Sequence, residues 1–325
     1  MMKSYKELYA EVEEGIASLT FPAVPENLYA PISYMMSLGG KRLRPVLALM
    51  AADMFGADTR KAIHAALAVE MFHNFTLVHD DIMDQAPLRR GKPTVYRKWN
   101  QTVAILSGDL MMIEATQLLC KTETQNLRQL IAVFNKAAIE VCEGQQLDMD
   151  FETQAQVSAD EYLHMITYKT AVLLGASLQL GAEIAGASPT DCEHMYAFGK
   201  NIGIAFQIQD DILDSFGEGD KVGKKIGGDI AANKKTILLI DALEKANTTQ
   251  RQAIDKWLHA ENDANDTKIK AILELYEQLN VRERCEELKK HHLQEAFIHL
   301  DAVSVESGRK EVLRQSALEL MERMS

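Results

Sequence analysis

A chain of 325 residues with 47% hydrophobic content has ample material for a large core, and its length alone would suggest two domains. A formal charge of -12 argues against a nucleic-acid partner, because phosphate backbones need a basic surface. Cys120, Cys142, Cys192 and Cys285 show neither metal-ligand spacing nor a disulfide framework, so reduced thiols in a cytoplasm are expected, and neither a signal peptide nor an apolar run of about 18 residues that would span a membrane is expected.

Residues 3 to 19 read as an amphipathic helix stopped by Phe21-Pro22 and Pro25, and Leu28 to Leu38 as a second helix ended by Gly39-Gly40. The segment from Gly39 to Pro45 combines close backbone approach with Lys41, Arg42 and Arg44. Such a loop can hold a phosphate. It also reads as a helix C-terminus with favourable basic residues and a proline opening the next helix, and the residues alone leave both readings open. Helices follow at Pro45 to Phe55 and Lys61 to Asp84. Six of the seven prolines lie before residue 94, and the last is Pro189, so long helices with few breaks predict one domain over residues 1–325.

The helix from Lys61 ends in Asp80-Asp81-Ile82-Met83-Asp84, with Arg89-Arg90-Gly91 just beyond. At 3.6 residues per turn Asp80 and Asp84 share a face, with Asp81 at its side. Like charges at that spacing repel, and a helix C-terminus adds its own partial negative charge, so a cation is needed there. Hard divalent ions fit best, and Mg²⁺ is commonly held by one or two carboxylates while substrate phosphates complete its shell. One such motif is compatible with a solvated helix end. The spacing recurs at Asp210-Asp211-Ile212-Leu213-Asp214, again after an apolar helical run and before basic residues. Two copies predict two helices facing each other across a cavity, with carboxylates at its mouth and apolar residues below. That is a site for a molecule with a diphosphate head and an apolar tail.

Between the two motifs, helices are expected around Val103 to Lys121, Leu127 to Asp148, Ser158 to Ala187 and Cys192 to Phe216. Gly144-Gln145-Gln146-Leu147-Asp148 places an amide and a carboxylate three residues apart. In Tyr168-Lys169-Thr170 a lone ammonium enters an apolar run, so Lys169 must reach a carboxylate or a ligand anion. Lys221 to Lys235 is glycine-rich and basic, contains no GxxxxGK[ST] sequence, and reads either as a lid over phosphates or as a solvated loop. From Thr236 onward the chain is helical and increasingly charged, and His291-His292 reads as solvated. No segment has a convincing strand period, so the fold class is all-α.

The ordered set GGKRLRP (39–45), DDIMD (80–84) with RRG (89–91), GQQLD (144–148), YKT (168–170), FQIQDDILD (206–214) and GKKIGGD (223–229) resembles the trans-isoprenyl diphosphate synthases of the polyprenyl synthetase family, which include farnesyl and geranylgeranyl diphosphate synthases. The resemblance covers about residues 28 to 320. Asn233 departs from it, standing where the family commonly has glycine before the lysine matching Lys234; asparagine tolerates the same left-handed backbone. The resemblance implies a single large bundle of mostly antiparallel helices around a deep central cavity, as a homodimer. It implies that Asp80, Asp84 and Asp210 bind three Mg²⁺, with Asp81, Asp211 and Asp214 in supporting or water-mediated roles. Arg89, Lys169, Lys224 and Lys234 would assist in holding an allylic diphosphate (dimethylallyl, geranyl or farnesyl). Isopentenyl diphosphate would occupy a basic pocket of Lys41, Arg44, His73 and Arg90, with Thr170 and Gln207 lining the reacting centre.

That chemistry suits the composition of the motifs. Ionising an allylic C–O bond leaves diphosphate charge for metals and cations to stabilise, so no nucleophile is required. Apolar walls exclude the water that would quench the cation. A longer-chain synthase, a class I terpene cyclase and a non-catalytic modulating subunit are the alternatives. The basic set Lys41, Arg44 and Arg90 favours a prenyltransferase over a cyclase, and the retention of all six aspartates disfavours a silent subunit. For product length, helical geometry below Asp80 selects Thr76 and Phe72, four and eight residues earlier. The resemblance selects Phe75 instead, with Thr76 as its neighbour, and implies a product of fifteen or twenty carbons, twenty favoured.

Overall fold

Local capping chemistry sets the first helix: the Ser4 hydroxyl accepts from the Glu7 N–H while the Glu7 carboxylate accepts from the Ser4 N–H, opening α1 (Tyr5–Ala17). The computed structural model describes residues 2–217, 227–259 and 265–322. Its described residues are overwhelmingly helical, and they divide into two compact units. One comprises Met1–Ala138, Leu173–Tyr196 and Ala302–Val312; the other comprises Ile139–Val172, Ala197–Asp301 and Leu313–Ser325.

In the first unit, α1 is followed by α2 (Glu26–Ser37), α3 (Leu43–Met54) and α4 (Ile63–Met83). Helix α4 is buried along nearly its whole length by Ala65, Ala66, Leu67, Ala68, Val69, Met71, Phe72, Phe75 and Val78. A helix apolar on most sides belongs in a core, and α1, α2 and α3 pack around it. After α4 the chain makes a two-residue hairpin, β1 (Leu88–Arg89) with β2 (Lys92–Pro93), then α5 (Val95–Lys98) and α6 (Gln101–Cys120). Asn100 caps α6 by accepting from the Val103 N–H at 2.9 Å. The hairpin is an addition to the all-helical expectation, and it is short because its loop residues Arg90 and Gly91 both take left-handed φ, the requirement of a tight two-residue turn.

Helix α6 is the element that bears on the expected absence of a membrane span, although a core helix meets the same criterion. Among the described residues it is the one helix long and apolar enough to cross a bilayer by length and composition. The reason is that it is apolar on two faces. Ala104, Met111, Ala115, Leu118 and Leu119 are buried, and α6 packs on α4, whereas Ile105, Leu106, Met112 and Ile113 form an exposed stripe with i, i+7 spacing.

The remaining elements in chain order are α7 (Leu127–Thr153), α8 (Ala159–Ile166), α9 (Val172–Ile184), α10 (Pro189–Phe216), α11 (Gly228–Ala231), α12 (Ile237–Lys245), α13 (Thr248–Leu258), α14 (Asn265–Gln278), α15 (Val281–Ala302) and α16 (Ser307–Glu322). The second unit is organised on a core of Phe151, Tyr162, Met165, Ile166, Ile204, Ile208, Ile212, Leu238, Ile254, Ile272 and Tyr276. The expected single helix from Ser158 to Ala187 is interrupted: between α8 and α9, residues Thr167–Ala171 form a π-turn, in which the Val172 N–H reaches back five residues to the Thr167 carbonyl.

Candidate active site

Helix α4 brings Asp80 and Asp81 to its last turn, and Asp84 caps it. The hairpin folds Arg89 back onto this end. Its Nε donates to both Asp81 oxygens, at 2.9 and 3.0 Å, and its Nη2 lies 2.7 Å from Asp81 and 3.6 Å from Asp80. A guanidinium thus meets the negative helix end. Asp81 is 1% exposed, and burial raises its carboxyl pKa, opposed by Arg89. Its oxygens are engaged, while the Asp80 side chain is partly exposed and Asp84 lies at the surface. The two aspartates that share a helical face are therefore the accessible ones.

In the same unit the segment from Gly39 to Arg44 meets α4. Arg42, at φ 46°, is anchored: its Nε donates to Glu13 at 2.7 Å, Nη1 to Glu70 at 2.7 Å and Nη2 to the Met36 carbonyl at 2.6 Å. Glu70 is 2% exposed and also accepts from Asn74 Nδ2 at 3.0 Å. This pairing satisfies a buried charge and holds the loop, so Arg42 is a strut. Arg44 is free of that network, and its Nη1 lies 3.2 Å from His73 Nε2. Burial and the neighbouring guanidinium groups of Arg44, Arg90, Arg89 and Arg42 hold the His73 ring well below the usual histidine pKa, so the ring is neutral. Burial brings Arg44 itself down to about 10. Its Nε is shut off from solvent with no hydrogen-bond partner among the described residues. Arg90 donates to the Gly39 carbonyl, and its Cζ would lie 2.7 Å from any Cβ placed at Gly40, which explains that glycine. Lys41 is exposed on the same loop.

The second unit places its acidic motif near the end of α10. Asp211 is 5% exposed and accepts from the Tyr162 hydroxyl, from Gln207 Nε2 at 3.2 Å and from the Ile237 N–H at 3.4 Å. Burial pushes its carboxyl up to about 7. As in the first motif, the middle aspartate is turned inward and braced, whereas Asp210 and Asp214 are only half-buried. Asp214 is tied to the start of α11: its carboxylate accepts from the Asp229 N–H at 2.9 Å and its carbonyl from the Gly227 N–H at 2.6 Å.

Lys169 and Thr170 sit on the π-turn. Lys169 Nζ reaches Asp148 Oδ2 at 2.5 Å, the carboxylate option of the two its burial demanded. Thr170 Oγ1 donates to Gln207 Oε1 at 3.2 Å, which links Thr170, Gln207, Asp211 and Tyr162 in one chain of hydrogen bonds. The π-turn lies between two glycines. A Cβ at Gly144 would come within 2.2 Å of the Lys169 nitrogen, and one at Gly203 within 2.6 Å of Ala171 Cα. Lys234 is exposed beyond α11, its N–H donating to the Asp229 carbonyl at 2.9 Å. Lys224, with the first part of the expected lid up to residue 226, lies outside the described residues.

On α4 the three length candidates differ. Phe72 is fully buried, with its ring 5.4 Å from Phe134; Phe75 is 8% exposed, packed on Phe72 at 5.4 Å and on His79 at 4.8 Å. Thr76 is half-buried, and its hydroxyl donates to the His73 carbonyl at 2.8 Å. Sequence reasoning missed Glu70 and Tyr162, because each acts through a partner far along the chain. The glutamate in an otherwise apolar run of α4 was the available signal for the first.

These observations describe two carboxylate pairs, each beside a braced inward aspartate, and a cationic cluster with an unpartnered donor at Arg44. The polyprenyl synthetase profile matches residues 25–276. Over 247 residues the chain is 42% identical to a geranylgeranyl diphosphate synthase of Methanosarcina mazei, covering 75% of this chain and 76% of that one. It is 34% identical to a short chain isoprenyl diphosphate synthase of Methanothermobacter thermautotrophicus over 99% of this chain and 98% of the other. A crystal structure of a geranylgeranyl pyrophosphate synthase superimposes with a TM-score of 0.95 at 42% identity, covering 100% of both chains. The all-helical architecture and these similarities agree: the chain belongs to the polyprenyl synthetase family and is a prenyltransferase.

Proposed function

We propose that the enzyme condenses an allylic diphosphate with isopentenyl diphosphate and releases geranylgeranyl diphosphate, a twenty-carbon product. The observation that carries this reading is the pocket around Arg44. A neutral imidazole, several guanidinium groups and a buried Nε without a partner make a site for a second, non-ionising diphosphate, which a cyclase does not need. Arg44, Arg90, His73 and Lys41 are assigned to isopentenyl diphosphate. Asp80, Asp84, Asp210 and Asp214 are the candidate Mg²⁺ ligands, with Asp81 and Asp211 as inward braces. Among the described residues no three His, Cys, Asp or Glu side chains form a metal site by themselves. A pair of carboxylates in each motif fits Mg²⁺, whose shell is commonly completed by substrate phosphates, and three ions are expected. These carboxylates would hold Mg²⁺, which would supply positive charge to stabilise the negative charge developing on the departing diphosphate.

The chain's own residues do the rest. Arg89, Lys169, Lys224 and Lys234 are assigned to the allylic diphosphate, where their positive charge would offset the charge that builds on it. Thr170 and Gln207 line the reacting carbon, and their mutual hydrogen bond holds them in register. Aromatic side chains exclude water from the carbocation. The proton lost after condensation passes to the released diphosphate. Phe75 is assigned to the floor that limits product length, with Phe72 packed against it and Phe134 edge-on to Phe72. The exposed stripe Ile105, Leu106, Met112 and Ile113 supports a homodimer, and the four unpaired thiols support a cytoplasmic enzyme. We propose that residues 1–325 belong to one isoprenoid synthase domain.

The test is incubation of the purified chain with isopentenyl diphosphate, Mg²⁺ and each of dimethylallyl, geranyl and farnesyl diphosphate, followed by chromatography of the dephosphorylated products. Geranylgeraniol is expected, Asp80→Ala or Asp210→Ala should lower turnover by about 10²–10³-fold with the fold retained, and Phe75→Ala should yield longer chains. Cyclised hydrocarbons, or no product with any primer, would overturn the assignment.

A further inference from the structure

Lys268 is a lysine on α14 with 3% of its surface exposed, far along the chain from every recognised motif. Its ammonium donates to the Ala231 carbonyl at 3.2 Å and to Asn233 Oδ1, both neutral acceptors. Burying an ammonium is costly unless its donors are satisfied, so this cation is bound to the conformation of residues 231 to 233. Asn233 answers with a left-handed backbone, φ 57°, and its amide Nδ2 donates to the Leu258 carbonyl at 3.0 Å, the last residue of α13. Glycine would accept that backbone as readily, but it offers no side-chain oxygen to the ammonium and no donor to Leu258. The departure from the family's glycine is therefore matched by the buried lysine.

The neighbouring residue of α14 grips the same segment from its other end. Gly227, at φ 79°, lies so close to Ile269 that an added Cβ would stand 2.6 Å from Ile269 Cγ2. Between these two anchors run the Gly227 and Asp229 amides that hold Asp214, and Lys234 follows directly after Asn233. We propose that Lys268, acting through Asn233, is a positioning residue that sets Lys234 and the Asp214 brace for the allylic diphosphate. This rests on the assignment of Lys234 to that substrate and of Asp214 to the Mg²⁺ that accompanies it.

Five variants are compared for the Michaelis constants of both substrates: Lys268→Met, Lys268→Arg, Asn233→Gly, the double variant Lys268→Met with Asn233→Gly, and Lys234→Ala. Lys268→Met should raise the allylic KM about tenfold and leave the isopentenyl KM within about twofold, a change of about 1.4 kcal/mol in allylic recognition. Asn233→Gly should shift the same constant in the same direction. The double variant should be no worse than the more impaired single variant, since both remove one contact. Lys268→Arg, which keeps charge and donors, should recover most of the loss. If Lys268→Met does not fold, Asn233→Gly and Lys268→Arg carry the test. Equal effects on both substrates, additive losses, or an unchanged allylic KM in Asn233→Gly while Lys234→Ala remains impaired would overturn the positioning role. An unimpaired Lys234→Ala would overturn it as well, by removing the assignment beneath it.

Discussion

His73 stays neutral where an exposed histidine would titrate, because burial and the surrounding guanidinium groups oppose its protonation. Its folded pKa lies below its unfolded value near 6.5, so below that pH the unfolded chain binds a proton that the folded chain refuses. Stability from this site is complete above about pH 6.5 and falls as pH drops, by up to about 1.4 kcal/mol per pH unit. His73→Gln keeps an acceptor for Arg44 and cannot titrate. Urea unfolding at pH 7.5 and 5.5 should show the wild type losing about 1 kcal/mol more than this variant across that window; equal losses would mean that the ring protonates in place.

The π-turn that presents Lys169 and Thr170 shows how an element depends on its neighbours. A glycine in a helix interior costs about 1 kcal/mol relative to alanine, so Gly144→Ala would stabilise an isolated α7. Within the fold the new Cβ would lie 2.2 Å from the Lys169 nitrogen, and that atom is backbone, which cannot rotate away. Overpacking of this kind costs about 1–3 kcal/mol, so it should outweigh the propensity gain. Gly144→Ala is expected to lower the denaturation midpoint and to weaken allylic binding together, as Lys169 moves from Asp148. A stabilised variant with unchanged kinetics would show that the turn adapts without cost.

For the molecule as a whole, the two faces of α6 make an assembly prediction. Its inner face is satisfied by α4, and its outer face exposes Ile105, Leu106, Met112 and Ile113 in one stripe, a pattern that marks an interaction surface. Leu106→Glu combined with Ile113→Glu should convert a dimer to a monomer in sedimentation equilibrium while the circular dichroism stays helical. A wild type that is monomeric at the same concentrations would refute this use of the stripe.

The all-helical class, the positions of most helices and the two aspartate pairs were legible in the residues themselves. Helical period is a local property, and one turn of backbone is enough to put Asp80 with Asp84, and Asp210 with Asp214, on a shared face. The basic set around Arg44 was legible as a composition of charges, though the division of labour within it was not. Arg42 became a strut because Glu70, 28 residues away, receives it, and Arg44 was left with an unpartnered donor. Tyr162 braces Asp211 across 49 residues, and Lys268 holds Asn233 across 35. The π-turn hid inside a continuous helical pattern, and α6 carried two apolar faces where composition registers only their sum. Local propensity acts over a turn or two of chain, whereas these features depend on which surfaces packing brings together, and that was decided by the tertiary structure alone.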